Sequence, residues 1–331
     1  MKDKTLVSIC VISYNSSAFI LETLESAKKQ SYTNIELIIS DDGSKDNTVE
    51  VCKKWLTQNA DFFQRTELIT TDQNTGIPAN CNRALRAARG EWIKLIAADD
   101  ILLENCLDDN LAYIQKNPET QILFSAMHPF LAENEEKKFL EPVKLSQSFL
   151  DLNADQQFIE IIFGKMAGIT PTAFIAKKLY EKLHYYDEEY KLAEDYPFWL
   201  KCTANQHRFV SMNKLTVLYR LHDQSTAIAK VVNGVMFQDR IIIFKQYLNR
   251  ILANESGKTQ FADYYKVNYY SFIKFCNEFE NLELLENVKK TGKISNLYYF
   301  LMRKYLLTFS KDNFKSKLLR SLYYRLLKYN Q

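Results

Sequence analysis

Glycine and proline are scarce in this chain of 331 residues, with 8 and 6 copies. So few chain breakers exclude long flexible linkers, and the length indicates one large or two ordinary domains. The apolar fraction of 47% and the charged fraction of 25% are those of a globular protein. The six cysteines form no C-x-x-C pair and no regular spacing, which favours buried free thiols in a reducing compartment.

Long hydrophobic runs are also missing. No window approaches the ~18 uninterrupted apolar residues that a spanning helix needs. The opening stretch MKDKTLVSICVISYN has no signal-peptide pattern, because its short apolar run ends in polar residues. A cytoplasmic protein is therefore expected.

Glycine-rich phosphate loops are absent as well. Neither G-x-G-x-x-G nor G-x-x-x-x-G-K-[ST] occurs in the chain, so a glycine loop would not cradle bound phosphates. A metal ion is the alternative counter-charge for phosphates, and carboxylate oxygens are ligands that suit Mg²⁺ or Mn²⁺.

Short apolar runs alternate with helical patterns over the first hundred residues. The predicted strands are Leu6–Ser13, Ile35–Ser40, Glu67–Thr70 and Trp92–Ile96, and the predicted helices are Ser16–Gln30, a segment opening at Thr48 that Asp46 or Asn47 could cap, and Pro78–Ala88. This alternation predicts an α/β fold with a doubly wound, mostly parallel sheet and helices on both faces.

Polar clusters stand at the ends of the predicted strands, where such sheets bind their ligands. They are Ser13-Tyr14-Asn15, Asp41-Asp42-Gly43-Ser44, the turn NTGIPAN that begins at Asn74, and Asp99-Asp100. Adjacent carboxylates repel, so the last pair indicates compensation by water or a cation. Each acidic cluster also has a simpler interpretation as a turn or helix cap.

Four segments together resemble the family 2 glycosyltransferases, which have the GT-A fold. The resemblance covers about residues 5 to 225, and it is carried by VSICVISYN, NIELIISDDGSKDNTVEV, NTGIPANCNRALRAARGEWIKLIAADDILL and LAEDYPFWLKC. It implies an inverting transfer of a sugar, of the kind used for bacterial surface polysaccharides, from a nucleotide-sugar donor. Uridine diphosphate (UDP) is the nucleotide most common in the family.

The resemblance also implies roles for individual residues. Tyr14 and Asp42 would contact the base, Asp41 would support that pocket together with Ser13 and Asn15, and the backbone from Asn74 to Gly76 would close over the nucleotide. Asp99 matches the metal-binding acid, with Asp100 and His222 as further metal ligands. Asp195 matches the general base, with Glu194 beside it. The simpler interpretation of Glu194 and Asp195 is a pair of charges that complement a helix dipole.

One position departs from the family pattern. Many members have Asp-Ser-Asp-Asp where this chain has Ala97-Ala98-Asp99-Asp100. The ribose or metal contact of that first acid is therefore in question. Two other functions stay open at this point: a sugar nucleotidyltransferase, whose glycine- and arginine-rich loop is absent here, and a non-catalytic, membrane-attached binder of nucleotide sugars.

The two ends of the chain differ in character, which predicts a transferase domain over 1–228 and a helical, basic, aromatic-rich region over 229–331. Eleven Lys and Arg against a single acid give Lys289–Gln331 a charge of +10, so the rest of this chain of net charge +3 carries −7. Lys317, Arg320, Arg325 and Lys328 line one side of a predicted amphipathic helix, which is typical of membrane-surface binding. We therefore expect peripheral contact with the inner face of the cell membrane, a glycan or lipid-linked glycan acceptor, and no nucleic-acid partner. The alternative is a helix packed on the transferase domain with a solvated basic face.

Overall fold

The computed structural model describes residues 5–133, 136–162, 169–190 and 194–222, with Ile243, Gln246 and Tyr247 in addition. The chain divides into two compact units, Met1–Met236 and Phe237–Gln331. Apart from those three residues, the predicted helical C-terminal region, including its basic amphipathic segment, lies outside the described residues. The domain boundary near residue 228 stays a prediction.

Nine strands and eight α-helices make up the described part of the first unit. The strands are β1 (Val7–Ser13), β2 (Ile35–Asp41), β3 (Arg65–Thr70), β4 (Trp92–Ala97), β5 (Ile101–Leu102), β6 (Ile122–Glu133), β7 (Glu136–Phe139), β8 (Phe174–Ala176) and β9 (Val210–Leu221). The helices are α1 (Ile20–Lys28), α2 (Thr48–Asn59), α3 (Ile77–Ala87), α4 (Cys106–Lys116), α5 (Gln147–Leu150), α6 (Ala154–Ile162), α7 (Lys177–Lys182) and α8 (Asp195–Ala204). Two 3-10 turns cover Ala60–Phe62 and Thr170–Thr172.

All described strands form one sheet, in the order β3-β2-β1-β4-β8-β6-β9-β5, with β7 paired to β6. The first four strands are parallel, as predicted. Beyond β4 the sheet is mixed, because β8 runs antiparallel to both β4 and β6 whereas β6 and β9 are parallel. The α/β class is therefore confirmed, with a parallel half and a mixed half.

The parallel half is buried on both faces. Every residue of β2 and all but one residue of β1 are buried, which requires cover on each side of the sheet. α3 contacts β1 and β2, and α1 packs against α2 and β1. This burial explains why continuous apolar runs, and not alternating ones, mark these strands in the sequence.

An aromatic cluster anchors α8. Phe198 stacks on Tyr180 with ring centroids 4.9 Å apart, and Trp199 meets Phe124 of β6 at 5.3 Å and Phe209 at 5.4 Å. Aromatic pairs at such separations are favourable beyond the area that they bury. The first residue of α8, Asp195, is consequently held in a fixed position relative to the sheet.

The free thiols follow the prediction wherever the chain is described. Cys10, Cys52, Cys81, Cys106 and Cys202 are buried and unbridged. Burial, together with the nearby charge of Asp41, raises the pKa of Cys52 to about 12, so this thiol stays protonated at neutral pH. Buried, protonated thiols are unreactive, which fits a packing role.

Candidate functional site

The ends of β1 and β2 lie side by side. Ser13 is the sheet partner of Asp41, and its hydroxyl donates to Asp41 Oδ2 at 2.9 Å. The Ser44 N–H donates to Asp41 Oδ1 at 2.9 Å, and the Ser44 hydroxyl donates to Oδ2 at 2.5 Å. Asp41 is buried and shapes the turn after β2, as the turn interpretation predicts. It also holds the end of β1 through Ser13.

Asn15 ties the end of β1 to the same turn. Its backbone has φ of 50°, its N–H donates to the Ser44 hydroxyl at 2.8 Å, and its Oδ1 accepts the Lys45 N–H at 2.8 Å. Tyr14 lies between these fixed positions with 44% of its surface exposed. An exposed ring held by its neighbours is available to stack on a flat ligand.

Asp42 holds the loop from Asn74 to Gly76. Its Oδ1 accepts the Thr75 hydroxyl at 2.6 Å and Arg83 Nη2 at 2.6 Å, and its Oδ2 accepts the N–H groups of Thr75 at 3.0 Å and Gly76 at 2.9 Å. Four donors occupy the acceptor sites of this carboxylate. The N–H group of a nucleotide base would have to displace one of these four donors in order to bond to Asp42.

Gly43 allows the two turns to approach each other. It has φ of +76°, and a Cβ added there would lie 2.8 to 2.9 Å from the backbone of Gln73. Only glycine combines this backbone conformation with such a close approach. The pattern Asp-Asp-Gly-Ser thus brings the β2 end against the 73–76 loop.

Asp99 and His222 form a pair at the end of β4. Asp99 Oδ2 lies 2.9 Å from His222 Nε2, and the two side chains are 26% and 18% exposed. His222 Nδ1 is buried and has no partner among the described residues. In the part of the chain that the structure describes, no three or more His, Cys, Asp or Glu side chains cluster as a metal site.

Asp100 differs from its neighbour, because it is buried. Its Oδ1 accepts the Arg220 N–H at 2.9 Å, whereas Oδ2 has no hydrogen-bond partner within the described ranges. Burial and the adjacent charge of Asp99 raise the pKa of Asp100 well above its ordinary value. Neither acid caps the following helix, since β5 intervenes and Asn105 is the N-cap of α4.

Arg220 lies beside the Asp99–His222 pair. Its Nε donates to the Asp99 carbonyl at 2.9 Å, and its guanidinium pairs with Glu22 while lying 5.1 Å from the ring centroid of Phe19 and 4.7 Å from that of Phe130. Arg220 is the second-last residue of β9, and His222 directly follows the strand. This guanidinium therefore fixes the backbone of Asp99.

Asp195 begins α8, where its charge also complements the helix dipole. Its Oδ2 accepts the Thr170 hydroxyl at 2.7 Å, and its Oδ1 accepts the Tyr196 N–H at 2.6 Å. Each oxygen keeps acceptor capacity for one more donor. Glu194, the N-cap residue, precedes it directly.

Tyr219 connects the two acidic pairs. Burial, followed by the charges of Asp100, Asp99, Asp195 and Glu194, raises the pKa of its phenol above the ordinary value. All four carboxylates therefore act on one phenol, although Asp99 and Asp195 are 96 positions apart in the chain. The Asp99–Asp100 pair and the Glu194–Asp195 pair are therefore both close to Tyr219.

Three residues near these acidic groups, Arg220, Tyr219 and Thr170, were not predicted from the sequence. Arg220 and Tyr219 could have been found from their proximity in the chain to His222, since they lie two and three positions before it in YRLH. Thr170 lies in an irregular turn without a recognisable motif, so its contact with Asp195 becomes visible only in three dimensions.

Comparison with known proteins adds the family. Residues 8–182 match the sequence model of Glycosyl transferase family 2. An uncharacterized glycosyltransferase of Methanocaldococcus jannaschii is 28% identical over 232 residues, which are 69% of this chain and 75% of that protein. The hyaluronan synthase of Pasteurella multocida is 23% identical over 299 residues, covering 89% of this chain and 29% of the synthase.

Solved structures show the same fold. S. aureus TarS 1-349 in complex with UDP-GlcNAc has a TM-score of 0.52 at 20% identity, covering 80% of this chain and 76% of that one. The mannosyltransferase PcManGT from Pyrobaculum calidifontis, in complex with GDP-Man and Mn²⁺, has a TM-score of 0.54 at 16% identity, covering 75% and 65%. The family match and these neighbours agree with the parallel half-sheet and the polar strand ends, and the chain belongs to glycosyl transferase family 2 as a glycosyltransferase of GT-A fold.

Proposed function

We propose that this glycosyltransferase moves a sugar from a nucleotide-sugar donor, in the first place a UDP-sugar, to a hydroxyl of a glycan or lipid-linked glycan. The transfer inverts the anomeric centre. The observation that carries this proposal is a pair of acidic groups, Asp99 in contact with His222 at the end of β4 and Asp195 at the start of α8, which both raise the pKa of the Tyr219 phenol.

The ends of β1 and β2 are the proposed nucleotide pocket. Tyr14 offers a face for the base, Asn74 and Gly76 line the loop above it, and Ser13, Asn15 and Asp41 hold the pocket in shape. Asp42 acts chiefly by holding the loop through Thr75, Gly76 and Arg83. The structures of TarS with UDP-GlcNAc and of PcManGT with GDP-Man support this choice of donor.

A divalent ion fits beside Asp99 and His222. Mg²⁺ is commonly held by one or two carboxylates together with substrate phosphates and water, so a site of few protein ligands suffices. Asp99 and His222 would hold the ion, because both side chains are partly exposed, whereas the buried Asp100 is directed to the Arg220 N–H. Bound there, Mn²⁺ or Mg²⁺ would supply Lewis-acid stabilisation of the departing diphosphate.

Asp195 is the proposed general base, with Glu194 beside it. An acceptor hydroxyl attacks well only when a positioned carboxylate takes its proton. Asp195 has one remaining acceptor position on each oxygen, and attack from the side opposite the diphosphate inverts the sugar carbon. Arg220 holds the backbone of Asp99, and the carboxylates of Asp99 and Asp195 both raise the pKa of the Tyr219 phenol.

The acceptor and the membrane form the finer part of the proposal. The segment from about 102 to 193 would determine acceptor specificity. The basic segment with Lys317, Arg320, Arg325 and Lys328 would bring the enzyme to an anionic membrane surface. Among the described residues, no helix is long and apolar enough to cross a bilayer.

The deciding experiment is release of nucleoside diphosphate from a panel of UDP-, GDP- and other nucleotide sugars. Each donor is tested with Mn²⁺, with Mg²⁺ and with EDTA, on the wild type, Asp99→Asn, Asp195→Asn and the exposed control Asp61→Asn. We expect one donor to react in a metal-dependent manner, with loss of at least about 100-fold in Asp195→Asn, since a general base contributes about 10²–10⁴-fold. Asp99→Asn should lose the metal dependence together with the activity.

Two outcomes would contradict the proposal in different ways. Donor binding without release, in the wild type and with every metal, would favour the non-catalytic binder. Full activity in Asp195→Asn would reassign the base while leaving the donor and the metal in place.

A further inference from the structure

The 3-10 turn Thr170–Thr172 lies between the sheet and α8, and its first side chain touches the proposed base. The Thr170 hydroxyl donates to Asp195 Oδ2 at 2.7 Å. The other oxygen of Asp195 accepts the Tyr196 N–H at 2.6 Å. Two donors on two different oxygens fix both the direction and the plane of this carboxylate.

A buried lysine anchors the middle of the turn. Lys94 on β4 has no exposed surface, and its Nζ donates to the Pro171 carbonyl at 2.7 Å. Burial lowers the pKa of Lys94, which reflects the unfavourable free energy of an ammonium group in a buried strand. No step of the proposed transfer uses the Lys94 side chain. Its hydrogen bond to the turn therefore indicates a structural role.

The last residue of the turn is fixed as well. The Thr172 hydroxyl donates to the Ile169 carbonyl at 2.8 Å and accepts the Ser125 N–H of β6 at 3.3 Å. The turn is therefore attached to β4 through Lys94 and to β6 through Ser125. Any side chain carried by such a turn is restricted in position, including the hydroxyl of Thr170.

We propose that Thr170 is a positioning residue for Asp195 and that Lys94 acts through it by anchoring the turn. This inference rests on the proposed function, in which Asp195 is the general base. A carboxylate held by two donors presents its remaining lone pairs in one direction, toward the acceptor hydroxyl. Without Thr170 the carboxylate can rotate about its side-chain bonds, and fewer bound acceptors find it in a productive orientation.

The test compares Thr170→Val, which keeps the shape and removes the hydroxyl, with Thr170→Ser, which restores it. Steady-state release of nucleoside diphosphate is measured with the nucleotide sugar that the donor panel selects, with water as the acceptor. We expect Thr170→Val to lower kcat about 10- to 100-fold, as for loss of a hydrogen bond to a charged group. The KM for the donor should stay unchanged, and Thr170→Ser should recover activity to within about threefold of the wild type.

Thr203→Val is the matched control. Thr203 lies on the same helix as Asp195, and its hydroxyl bonds only backbone carbonyls, with Trp199 O at 2.9 Å the closer of the two. This variant makes the same chemical change without touching the base, so its kcat should equal that of the wild type. Thr170→Ala, which also lacks the hydroxyl, replaces Thr170→Val if valine does not fit.

The outcomes separate this inference from the proposed function. Wild-type kcat in Thr170→Val, or a Thr170→Ser variant no better than Thr170→Val, would overturn the positioning role while Asp195→Asn remains inactive. Full activity in Asp195→Asn would instead overturn the assignment of the base, and the role of Thr170 with it.

Discussion

At the scale of single residues, Glu36 shows how a buried charge is made compatible with a sheet interior. Its Oε1 accepts the Ser8 hydroxyl at 2.6 Å, the Gly90 N–H at 2.9 Å and the Arg89 N–H, and its Oε2 accepts Arg65 Nη1 at 2.8 Å. These donors join β1, β2, β3 and the turn before β4. Burial alone would raise the pKa of Glu36, but the hydrogen bonds outweigh burial and hold it below the ordinary value of 4.5.

Glu36→Gln should therefore destabilise the protein in a pH-dependent manner. At neutral pH we expect a loss of about 2 kcal/mol in the free energy of unfolding, the size of a hydrogen bond to a charged group. A lowered folded-state pKa gives stability that is present above the unfolded value near 4.5 and lost as pH falls through the folded value. The difference between wild type and variant should thus be constant from neutral pH to about pH 5 and shrink below about pH 4.5.

Urea unfolding of both proteins at several pH values measures this difference. Glu91→Gln is the control, because Glu91 is exposed and close by in the chain, and it should unfold like the wild type at every pH. A difference between wild type and Glu36→Gln that is equal at neutral and acidic pH would contradict the account.

At the scale of elements, the sequence predicted the parallel half of the fold closely. β1, β2 and β4 end within one residue of their predicted ends, because continuous buried strands have a strong apolar signal. The first helix begins at Ile20, four residues later than predicted, since Ser16 accepts the N–H groups of Phe19 and Ile20 in a turn. Asp46, and not Asn47, accepts the Thr48 N–H at the start of α2.

Two strands of the mixed half of the sheet could not be predicted from the sequence, and the reason is physical. β8 has three residues and β5 has two, and strands this short carry no measurable periodicity. Their places in the sheet depend on partners distant in the chain, such as Lys94 opposite Phe174. Motif residues such as Asp99 and Asp195 could be selected from sequence, whereas Thr170 and Lys94 act through contacts that no local pattern specifies.

The link from β4 to the turn leads to a prediction for Lys94→Met. We expect stability to change by no more than about 2 kcal/mol, because losing a buried ammonium offsets leaving the Pro171 carbonyl unpaired. Turnover should nevertheless fall, since the turn that carries Thr170 loses its anchor to β4. Urea unfolding measures the change in stability. The change in turnover is measured as kcat for release of nucleoside diphosphate.

A variant that combines Lys94→Met with Thr170→Val tests the route by which Lys94 affects turnover. If Lys94 acts through Thr170, the combined loss in Lys94→Met with Thr170→Val should be smaller than the product of the separate losses. Lys178→Met, on the exposed side of α7, should leave kcat unchanged. Independent, multiplying losses would mean that Lys94 affects turnover by another route.

At the scale of the whole molecule, charge is strongly separated along the chain. Lys289–Gln331 carries +10, whereas the preceding residues carry −7. A basic segment is attracted to anionic lipid by about 1 kcal/mol per Lys or Arg near the surface. A lipid-linked acceptor would be found at that surface, so binding there would raise its effective concentration at the site.

Replacing Lys317, Arg320, Arg325 and Lys328 by Gln in the full chain should weaken binding to phosphatidylserine-containing vesicles at least about 10-fold, given the attraction per charge.

The control replaces four exposed lysines of the first unit, Lys29, Lys53, Lys54 and Lys116, by Gln and removes the same net charge. Co-sedimentation at two salt concentrations measures both variants, and the wild-type affinity should fall with salt as charges are screened. Because net charge is matched, a larger loss in the first variant assigns the contact to the segment that contains these four residues. Equal losses would mean that total charge governs adhesion, and unchanged binding would indicate a basic face that is merely solvated.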